Sequence, residues 1–190
     1  MPVISIPRKE QIEVAATDLF KAKGYAATSM RDIASQVGIE AASIYSHLKS
    51  KEDILVKICF RMGQEFMDGI KKVQDTNVSI EVKFKQAVIS HVNIITGDIA
   101  ASAVFWNEWR HLSEPLLSDF VAMQRAYEQA FKSIIEQGVN EGVFEVHDTS
   151  FTIMAMLSSL NGIQKWRNYT LPPEELNEAF AHIFLKGLKK

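Results

Sequence analysis

Cysteine is almost absent from this sequence. Cys59 is the only one in 190 residues, so an intrachain disulfide is impossible and a reducing compartment is expected. Free cysteine is among the residue types that are most often buried. We therefore interpret Cys59 as a small apolar residue on a buried helix face, with a redox sensor as the alternative.

Long apolar runs are also lacking. No stretch reaches the roughly eighteen consecutive apolar residues of a membrane-spanning helix. The N-terminus has no basic region followed by an apolar one, as a secretory signal would. These two absences predict a cytoplasmic protein without a membrane partner.

A surplus of positive charge is missing as well. The formal net charge is -2, the isoelectric point is near 6.2, and basic and acidic side chains are equally numerous from Met1 to Leu55. Domains that bind polyanions without sequence preference are usually strongly basic. Any affinity for nucleic acid must therefore come from a few well-placed contacts and from dimerisation.

The sequence contains none of the motifs that mark common enzyme or metal sites. It has no Ser-His-Asp signature, no glycine-rich phosphate loop and no His-Glu metal motif, and the cysteine has no evident base beside it. We accordingly expect no catalytic residue, no metal site and no cofactor.

Helical periodicity, in contrast, extends over most of the chain. With 47% hydrophobic residues the chain can bury a sizeable core, and the pattern predicts an all-α fold of about nine helices. A three-helix domain is expected over residues 1–50 and a larger helical domain over residues 51–190, with one short extended piece at 143–146. The expected helices run from Pro7 or Arg8 to Lys23, Met30 to Val37, Ala41 to His47, Lys51 to Val73, Ile80 to Thr96, Asp98 to Leu112, Glu114 or Pro115 to Asn140, Thr149 to Asn168 and Pro173 to Gly187.

Residues 28–51 contain two short amphipathic helices. Met30, Ile33 and Val37 form the apolar face of the first, which stops at Gly38. The same spacing then recurs in a second, shorter helix. Two short helices joined by a tight turn with glycine are typical of a helix-turn-helix, in which the second helix reads DNA.

The starts of two helices carry capping signals. Ser29 with Asp32, and Ser50 with Asp53, each form a capping box. Lys51 lies in the first turn of its helix, where a cation is unfavourable for the helix dipole. A DNA phosphate, which helix N-termini bind readily, would supply the partner that Lys51 requires.

Residues 12–55, IEVAATDLFKAKGYAATSMRDIASQVGIEAASIYSHLKSKEDIL, resemble the DNA-binding domain of the TetR/AcrR family of bacterial transcriptional regulators. The matching positions are Ala16, Leu19, Phe20, Gly24, Thr28, Ile33, Ala34, Gly38, Ile44, Tyr45, His47, Lys51 and Glu52. The resemblance implies that Thr28, Tyr45 and Lys51 hold phosphates. It also implies that the helix over residues 41–47 lies in the major groove.

Two positions depart from the family pattern. Leu48 replaces the usual phenylalanine, which is a conservative change in packing. Ala41 stands where many relatives carry a lysine or another polar residue, which leaves Glu40, Ser43 and Ser46 as candidate base-facing groups. The predicted DNA-contacting residues are Thr28, Ser29, Arg31, Glu40, Ala41, Ser43, Tyr45, Ser46, His47 and Lys51.

The larger domain is rich in big apolar side chains. Such residues at helical spacing ordinarily form a core, and a single histidine on a helix is more often structural than a ligand contact. The family resemblance raises a second interpretation, because these domains usually enclose an effector pocket between the linking helix and its neighbours. The predicted pocket residues are Phe66, Phe84, Val88, His91, Phe105, Trp106, Trp109, Met123, Tyr127, Lys165, Trp166 and Arg167.

Residues 161–176, NGIQKWRNYTLPPEEL, resemble the corresponding segment of TetR-family members that respond to acyl-coenzyme A thioesters. An asparagine, a basic residue, a tryptophan and a Pro-Glu-Glu turn follow there in similar order. The resemblance implies that Lys165, Trp166 and Arg167 meet the phosphates and adenine of coenzyme A through charge and stacking. The alternative is an interface tryptophan flanked by solvated cations.

The last two expected helices carry apolar residues on more than one face, which indicates a partner surface. By resemblance, these helices pack against their copies in a second subunit as a four-helix interface. Two-fold symmetry would then place the reading helices about 34–36 Å apart on a palindromic operator. The predicted interface residues are Met156, Leu160, Ile163, Phe180, Ile183 and Phe184.

These features predict a ligand-responsive transcriptional regulator, with repression as the default expectation. It would bind double-stranded operator DNA as a homodimer and be released by a small apolar effector, with acyl-coenzyme A among the candidates. We hypothesise that the effector tilts the helix beginning at Lys51 and so changes the separation of the two reading helices.

Two alternatives stay open at this point. One is a helical enzyme that acts on a lipid or thioester without operator binding, which turnover of an acyl-coenzyme A would support. The other is a helical interaction module that no longer binds DNA. For that module, Tyr45→Ala and Lys51→Ala would leave DNA retention unchanged.

Overall fold

A computed structural model of the chain describes residues 7–46, 48–166 and 171–189. Within these ranges the chain forms nine α-helices, two short 3-10 helices and no strand, which confirms the predicted all-α fold. The α-helices are α1 (Arg8–Lys23), α2 (Met30–Val37), α3 (Ala41–Ile44), α4 (Lys51–Gln74), α5 (Ile80–Gly97), α6 (Ile99–Glu108), α7 (Leu116–Asn140), α8 (Thr149–Asn161) and α9 (Pro173–Leu188).

The second helix of the helix-turn-helix is shorter than predicted. α3 comprises four residues and ends at Ile44. Both the backbone N–H and the hydroxyl of Ser46 bond to the carbonyl of Ser43, at 3.2 and 2.7 Å. These local bonds compete with α-helical pairing and close a turn instead. The predicted extension is therefore wrong through Ser46, and His47 lies outside the described residues.

α8 also ends earlier than predicted. The α-helix stops at Asn161, and a 3-10 helix, Gly162–Lys165, follows it. The backbone N–H of Gly162 is shared among three preceding carbonyls, and shared bonds of this kind tighten the last turn of a helix. The predicted α-helical continuation to residue 168 is wrong through Trp166, and residues 167–170 lie outside the described ranges.

The extended piece predicted at residues 143–146 forms a single pairing rather than a strand. Phe144 makes an isolated antiparallel bridge with Lys189, and the Glu145 N–H donates to the Leu188 carbonyl at 2.8 Å. Gly138 permits this arrangement, because a Cβ atom there would lie 2.0 Å from the Phe144 ring. The end of α9 is thereby fastened to the segment that links α7 and α8.

The chain divides into two compact units. The first comprises Met1–Arg61 and Ala100–Phe120, and the second comprises Met62–Ile99 and Val121–Lys190. Helix α4 belongs to both units, since the division falls within it. The domain boundary between residues 50 and 51 stays a prediction.

The first unit has a core that combines α1, α2, α3 and the first turns of α4. Full burial of one Leu, Ile or Phe side chain contributes about 1.5–3 kcal/mol, so the buried apolar faces of these helices stabilise their packing against one another. The buried side chains include Ile12, Ala16, Phe20, Ile33, Ala34, Ile44, Leu48, Ile54, Leu55 and Cys59.

The second unit is built around the antiparallel pair of α5 and α9. Asn177 of α9 donates to Asn93 of α5 at 2.7 Å, and at the other end Lys189 pairs with Glu81 at 2.8 Å. Its buried side chains include Met62, Phe66, Ile70, Phe84, Val88, His91, Val92, Tyr127, Phe131, Phe144, Leu160 and Phe180.

Among the described residues, none of the helices combines the length and the apolar composition that a membrane span needs. Only α5 taken together with the segment Ile99–His111 reaches both, and a bend separates these two pieces.

Candidate nucleic-acid interface and effector site

A complete capping box begins α2. The Ser29 hydroxyl oxygen accepts from the Asp32 N–H at 3.1 Å, and the Asp32 carboxylate accepts from the Ser29 N–H at 2.7 Å. Hydrogen bonds from the Ser29 hydroxyl and amide, followed by one from Lys23, lower the pKa of Asp32 to about 2. The predicted box is confirmed, and the predicted stop at Gly38 is confirmed by its left-handed φ of 71°.

The second predicted capping box, at the start of α4, is also present. The Asp53 carboxylate accepts from the Ser50 N–H at 3.1 Å, and the Ser50 hydroxyl oxygen accepts from the Asp53 N–H at 3.1 Å. The same carboxylate accepts from the Lys49 N–H at 3.1 Å. Two orphan amides at the helix N-terminus are thereby satisfied.

Lys51 has its partners inside the protein. Its ammonium donates to the Tyr25 carbonyl at 2.7 Å and to the Thr28 carbonyl at 2.9 Å, and it lies 4.2 Å from the centre of the Tyr25 ring. The expectation that this cation requires an external anion is therefore wrong. An ammonium has three N–H donors, so a phosphate contact through the third stays a prediction.

Thr28 is the least accessible of the predicted DNA contacts that the structure describes. Its side chain is 2% exposed, and its hydroxyl donates to the Gly24 carbonyl at 2.8 Å. Because this bond already uses the hydroxyl proton, donation to a phosphate would require the bond to break. The phosphate role of Thr28 stays a prediction that its local bonding does not favour.

Most other predicted DNA contacts lie at the surface. Tyr45 directly follows α3, and its side chain is 57% exposed. Ala41 is half-buried, and His47 lies outside the described residues. The remaining exposed members of the predicted set are Ser29, Arg31, Glu40, Ser43 and Ser46.

A segment from the middle of the chain fastens the turn between α1 and α2. The Glu108 carboxylate accepts from the Tyr25 N–H at 3.1 Å, and the His111 ring stacks on the Tyr25 ring at 5.1 Å. The Glu52 carboxylate, in the first turn of α4, accepts from the Ser113 N–H at 2.7 Å. We call residues 108–113 the clamp.

The sequence interpretation missed the clamp. Glu108 and Tyr25 are 83 positions apart, and neither belongs to a local motif that would pair them. Partial burial, followed by the negative charge of Glu52, raises the pKa of Tyr25. The phenol therefore stays neutral, and its ring has Lys51 against it as well as His111.

Three predicted pocket residues pack together in the first unit. Phe105 lies 4.7 Å from Trp106 and 5.1 Å from Phe120, and Trp109 stacks on Phe120 at 5.6 Å, as measured between ring centres. Phe105 is buried, while Trp106 and Trp109 are half-buried. These residues form an aromatic cluster around Phe120.

Another group of predicted pocket residues lies in the second unit. Phe66 packs on His91 at 4.9 Å and on Tyr127 at 5.4 Å. His91 bonds through Nδ1 to the Tyr127 hydroxyl at 2.8 Å and through Nε2 to the side-chain oxygen Oδ1 of Asn161 at 3.0 Å. Burial lowers the pKa of His91 to about 3 and raises that of the Tyr127 phenol. The network is therefore neutral near pH 7.

The other predicted pocket residues of this unit lie around that network or beyond it. Phe84 packs against Phe131 at 6.2 Å and Phe144 at 5.7 Å. Val88 is buried and Met123 is half-buried. Phe84 and Val88 thus belong to the packed core of the unit.

Two of the three predicted coenzyme A contacts in the segment 161–176 are exposed. Trp166 stacks on Phe180 of α9 at 5.7 Å, with 43% of the residue exposed. Lys165 is exposed, and Arg167 lies outside the described residues.

The predicted dimer interface is divided between buried and exposed residues. Ile183 is 62% exposed and Phe184 is half-buried. On α8, the exposed large apolar residues are Phe151 and Met154, at 70% and 67%, and neither was in the predicted set. The other predicted interface residues are buried within the single chain: Met156, Leu160, Ile163 and Phe180.

A metal centre was not expected from the sequence. Among the residues that the structure describes, no group of three or more His, Cys, Asp or Glu side chains is arranged to hold a metal ion.

Two family models match the chain. Residues 77–188 match the family described as "Tetracyclin repressor-like, C-terminal domain", and residues 12–58 match "Bacterial regulatory proteins, tetR family". Among curated relatives, the HTH-type transcriptional repressor KstR2 of Mycolicibacterium smegmatis is 29% identical over 142 residues, which cover 72% of this chain and 67% of that protein. The fatty acid metabolism regulator protein of Bacillus subtilis is 24% identical over 136 residues, which cover 72% and 70%.

Solved structures agree with the fold. KstR2 of Mycobacterium tuberculosis matches with a TM-score of 0.90 and 21% identity, covering 99% of this chain and 97% of that chain. AibR, solved in complex with isovaleryl coenzyme A and operator DNA, matches with a TM-score of 0.80 and 20% identity, covering 93% and 97%. The matched families and relatives are transcription regulators, so the enzyme alternative is not supported. Since one family model spans more than half of the chain and a second covers the helix-turn-helix, the chain belongs to the TetR family of DNA-binding bacterial transcriptional regulators.

Proposed function

We propose that this TetR-family regulator is a homodimeric repressor that binds a palindromic operator and releases it when an acyl-coenzyme A thioester binds. The observation that carries operator binding is the exposed face of the capped helix-turn-helix, with Tyr45 at its end. Because operator DNA lies in the bacterial cytoplasm, we place the protein there. The operator-binding domain would end near residue 50, where a capping box opens α4.

Operator affinity in this proposal depends on local contacts, since the chain has a net charge of -2. Tyr45 offers a hydroxyl donor to a phosphate, and Arg31 offers a charged one. Ser43, Ser46 and Glu40 are exposed beside α3 and are the base-facing candidates. Each phosphate that a cation neutralises releases counterions, so affinity should fall as salt rises.

Dimerisation is proposed to use the exposed apolar residues of α8 and α9. Phe151 and Met154 are three positions apart and therefore share a face of α8, together with exposed Ala155 and Ser158. Small residues allow a second helix to approach closely. Ile183 of α9 is the exposed predicted interface residue, while the predicted residues that are buried in the single chain support this surface from within.

Effector binding is proposed at the end of α8. Lys165 offers a cation for the phosphates of coenzyme A, and Trp166 offers an aromatic face for its adenine. Names of relatives support the class: one is a fatty acid metabolism regulator, and AibR was solved with isovaleryl coenzyme A. Arg167 completes the proposed set by resemblance.

The operator is tested by selection from random oligonucleotides with the purified full-length protein. We expect a palindromic consensus, and we expect Tyr45→Ala to weaken binding about tenfold, which corresponds to loss of roughly one charge-assisted hydrogen bond. Tyr45→Phe is the matched variant, since it removes only the hydroxyl. Val82→Ala, an exposed change on α5, serves as the control. A monomeric protein, or one that selects no symmetric sequence at low salt, would contradict the proposal.

The effector is tested by titrating the protein–operator complex with isovaleryl-, octanoyl- and palmitoyl-coenzyme A and with free coenzyme A. A hundredfold loss of operator affinity requires about 2.7 kcal/mol of coupling. We expect at least one thioester to release the operator. If no thioester changes the affinity, the effector part of the proposal fails and operator binding stands.

A further inference from the structure

A buried polar network joins three helices of the second unit. It consists of His91 on α5, Tyr127 on α7 and Asn161, the last residue of α8. His91 is fully buried and bonds to both partners, at 2.8 and 3.0 Å. Buried polar groups whose bonds are all made hold a specific arrangement, because loss of one partner strands the other in a medium without water.

The direction of the hydrogen bonds follows from the chemistry of the partners. The side-chain oxygen Oδ1 of Asn161 only accepts, so Nε2 of His91 carries the proton and donates it. Nδ1 is then unprotonated and accepts from the Tyr127 hydroxyl. Burial keeps the ring in this neutral form, since the pKa of His91 is about 3. Tyr127 therefore donates to His91, and His91 donates to Asn161.

The network lies next to the proposed effector contacts on one side and to helix α4 on the other. Asn161 directly precedes the 3-10 helix, Gly162–Lys165, which ends at the proposed coenzyme A contact Lys165 and is followed by Trp166. Phe66 of α4 packs on both His91 and Tyr127. Helix α4 continues without interruption from Lys51, so the residue that covers the network lies on the same helix as the lysine beside the helix-turn-helix.

We propose that His91 is a positioning residue for the effector response: it holds Asn161 in the operator-binding state, and an acyl-coenzyme A bound at Lys165 and Trp166 displaces Asn161 from it. The inference rests on the effector site of the proposed function. Once Asn161 moves, the buried Nε2–H loses its acceptor, so the ring must find another arrangement and Phe66 must shift with it. A side chain with two discrete arrangements is the kind of element through which a ligand shifts a conformational equilibrium.

Two substitutions of His91 separate the two halves of the network. In His91→Gln, the side-chain amide nitrogen occupies the position of Nε2 and still donates to Asn161. In His91→Asn, the shorter amide reaches the Tyr127 hydroxyl but not Asn161. The readout is the ratio of operator affinities without and with the thioester that releases the wild-type protein most strongly, from the series isovaleryl-, octanoyl- and palmitoyl-coenzyme A.

We expect His91→Gln to keep this ratio within about threefold of wild type and His91→Asn to reduce it by tenfold or more. Asn93→Ala is the control. Asn93 lies on α5, as His91 does, but its bond to Asn177 of α9 is outside the network, so the substitution should leave the ratio unchanged. If His91→Asn does not fold, Asn161→Ala tests the same bond from the other side, because it removes the acceptor of the His91 Nε2–H, and it should also reduce the ratio.

A nitrogen-detected NMR spectrum gives a second readout. If His91 had only a structural role, its resonances should not change when the thioester binds. Thioester binding should shift the Nε2 resonance of His91 in the wild-type protein. Equal ratios in wild type, His91→Asn and Asn161→Ala, with an unshifted resonance, would overturn the inference alone. A wild-type protein that no thioester releases would overturn the proposed effector as well, so the two failures are distinguishable.

Discussion

At the residue scale, several ionisable side chains serve the fold before they serve a ligand. Lys51 is held by two carbonyls and one aromatic ring, so its charge stabilises the turn between α1 and α2. Cys59 is fully buried, and burial raises its pKa to about 12. A thiol of this kind is unreactive, which confirms its interpretation as a packed apolar residue and disfavours a redox sensor.

His91 makes stability depend on pH in the acid range. Its pKa is lowered from 6.5 to about 3 in the folded protein, so between these values the unfolded chain binds a proton that the folded chain does not. Stability is therefore fully present above pH 6.5 and decreases as pH falls. Between pH 7 and pH 5, we expect the free energy of unfolding, measured with urea, to decrease by about 2 kcal/mol through this group.

The control for this effect is His91→Gln, which cannot titrate. The variant should be less stable than wild type at pH 7 but should show a smaller decrease between pH 7 and pH 5. Equal decreases in the two proteins would show that His91 is not the group responsible.

At the element scale, the short helices of the helix-turn-helix depend on their ends. Helices of eight and four residues are far below the length at which isolated helices are stable in water. Their stability must come from capping bonds and from the buried face that includes Ile33, Ala34 and Ile44. The clamp adds a further constraint, because it fastens the turn that precedes α2.

Ser29→Ala tests the contribution of the α2 cap. The substitution removes the acceptor of the Asp32 N–H and one donor to the Asp32 carboxylate, so we expect unfolding free energy to decrease by about 1 kcal/mol. The pKa of Asp32, measured by NMR, should rise from about 2 toward its ordinary value, because Ser29 is the main cause of its shift. Ser35→Ala, an exposed change within α2, should alter stability by less than about 0.5 kcal/mol. If Ser35→Ala decreased the free energy of unfolding as much as Ser29→Ala, loss of the cap would not be the explanation.

At the scale of the whole molecule, the exposed apolar residues of α8 and α9 form the surface that we propose for dimerisation. Phe151, Met154 and Ile183 are each more than 60% exposed, although large apolar side chains gain free energy when buried. A homodimer interface would cover them. The two operator half-sites would then be bound by one particle, whose affinity exceeds that of either half alone.

Ile183→Glu tests the proposed interface. A charge buried without a partner is unfavourable, so we expect the dimer dissociation constant, measured by sedimentation velocity, to rise at least tenfold. Operator affinity should fall with it, while the far-ultraviolet circular dichroism spectrum stays unchanged. Val82→Glu, on an exposed position of α5, is the matched control. A variant that remains as dimeric as wild type would contradict this use of α9.

The accuracy of the sequence interpretation follows the range of the interactions. The helix-turn-helix, both capping boxes and the stop at Gly38 were predicted correctly, because each depends on residues within about four positions of one another. The end of α3 was predicted too far along the chain. There, the bonds between Ser46 and Ser43 compete with helical pairing, and apolar periodicity carries no information about that competition.

Family, all-helical fold and regulatory class were determined by the sequence alone, since they follow from local motifs and their joint spacing. The tertiary structure decided which distant residues meet: the clamp joins Glu108 to Tyr25, and His91 reaches Asn161 across 70 positions. It also decided that Leu160 and Phe180 are buried within one chain while Phe151 is exposed. The physical reason is that packing selects long-range partners by shape and by the need to satisfy every buried polar group, and neither condition is expressed in the spacing of residues along a single helix.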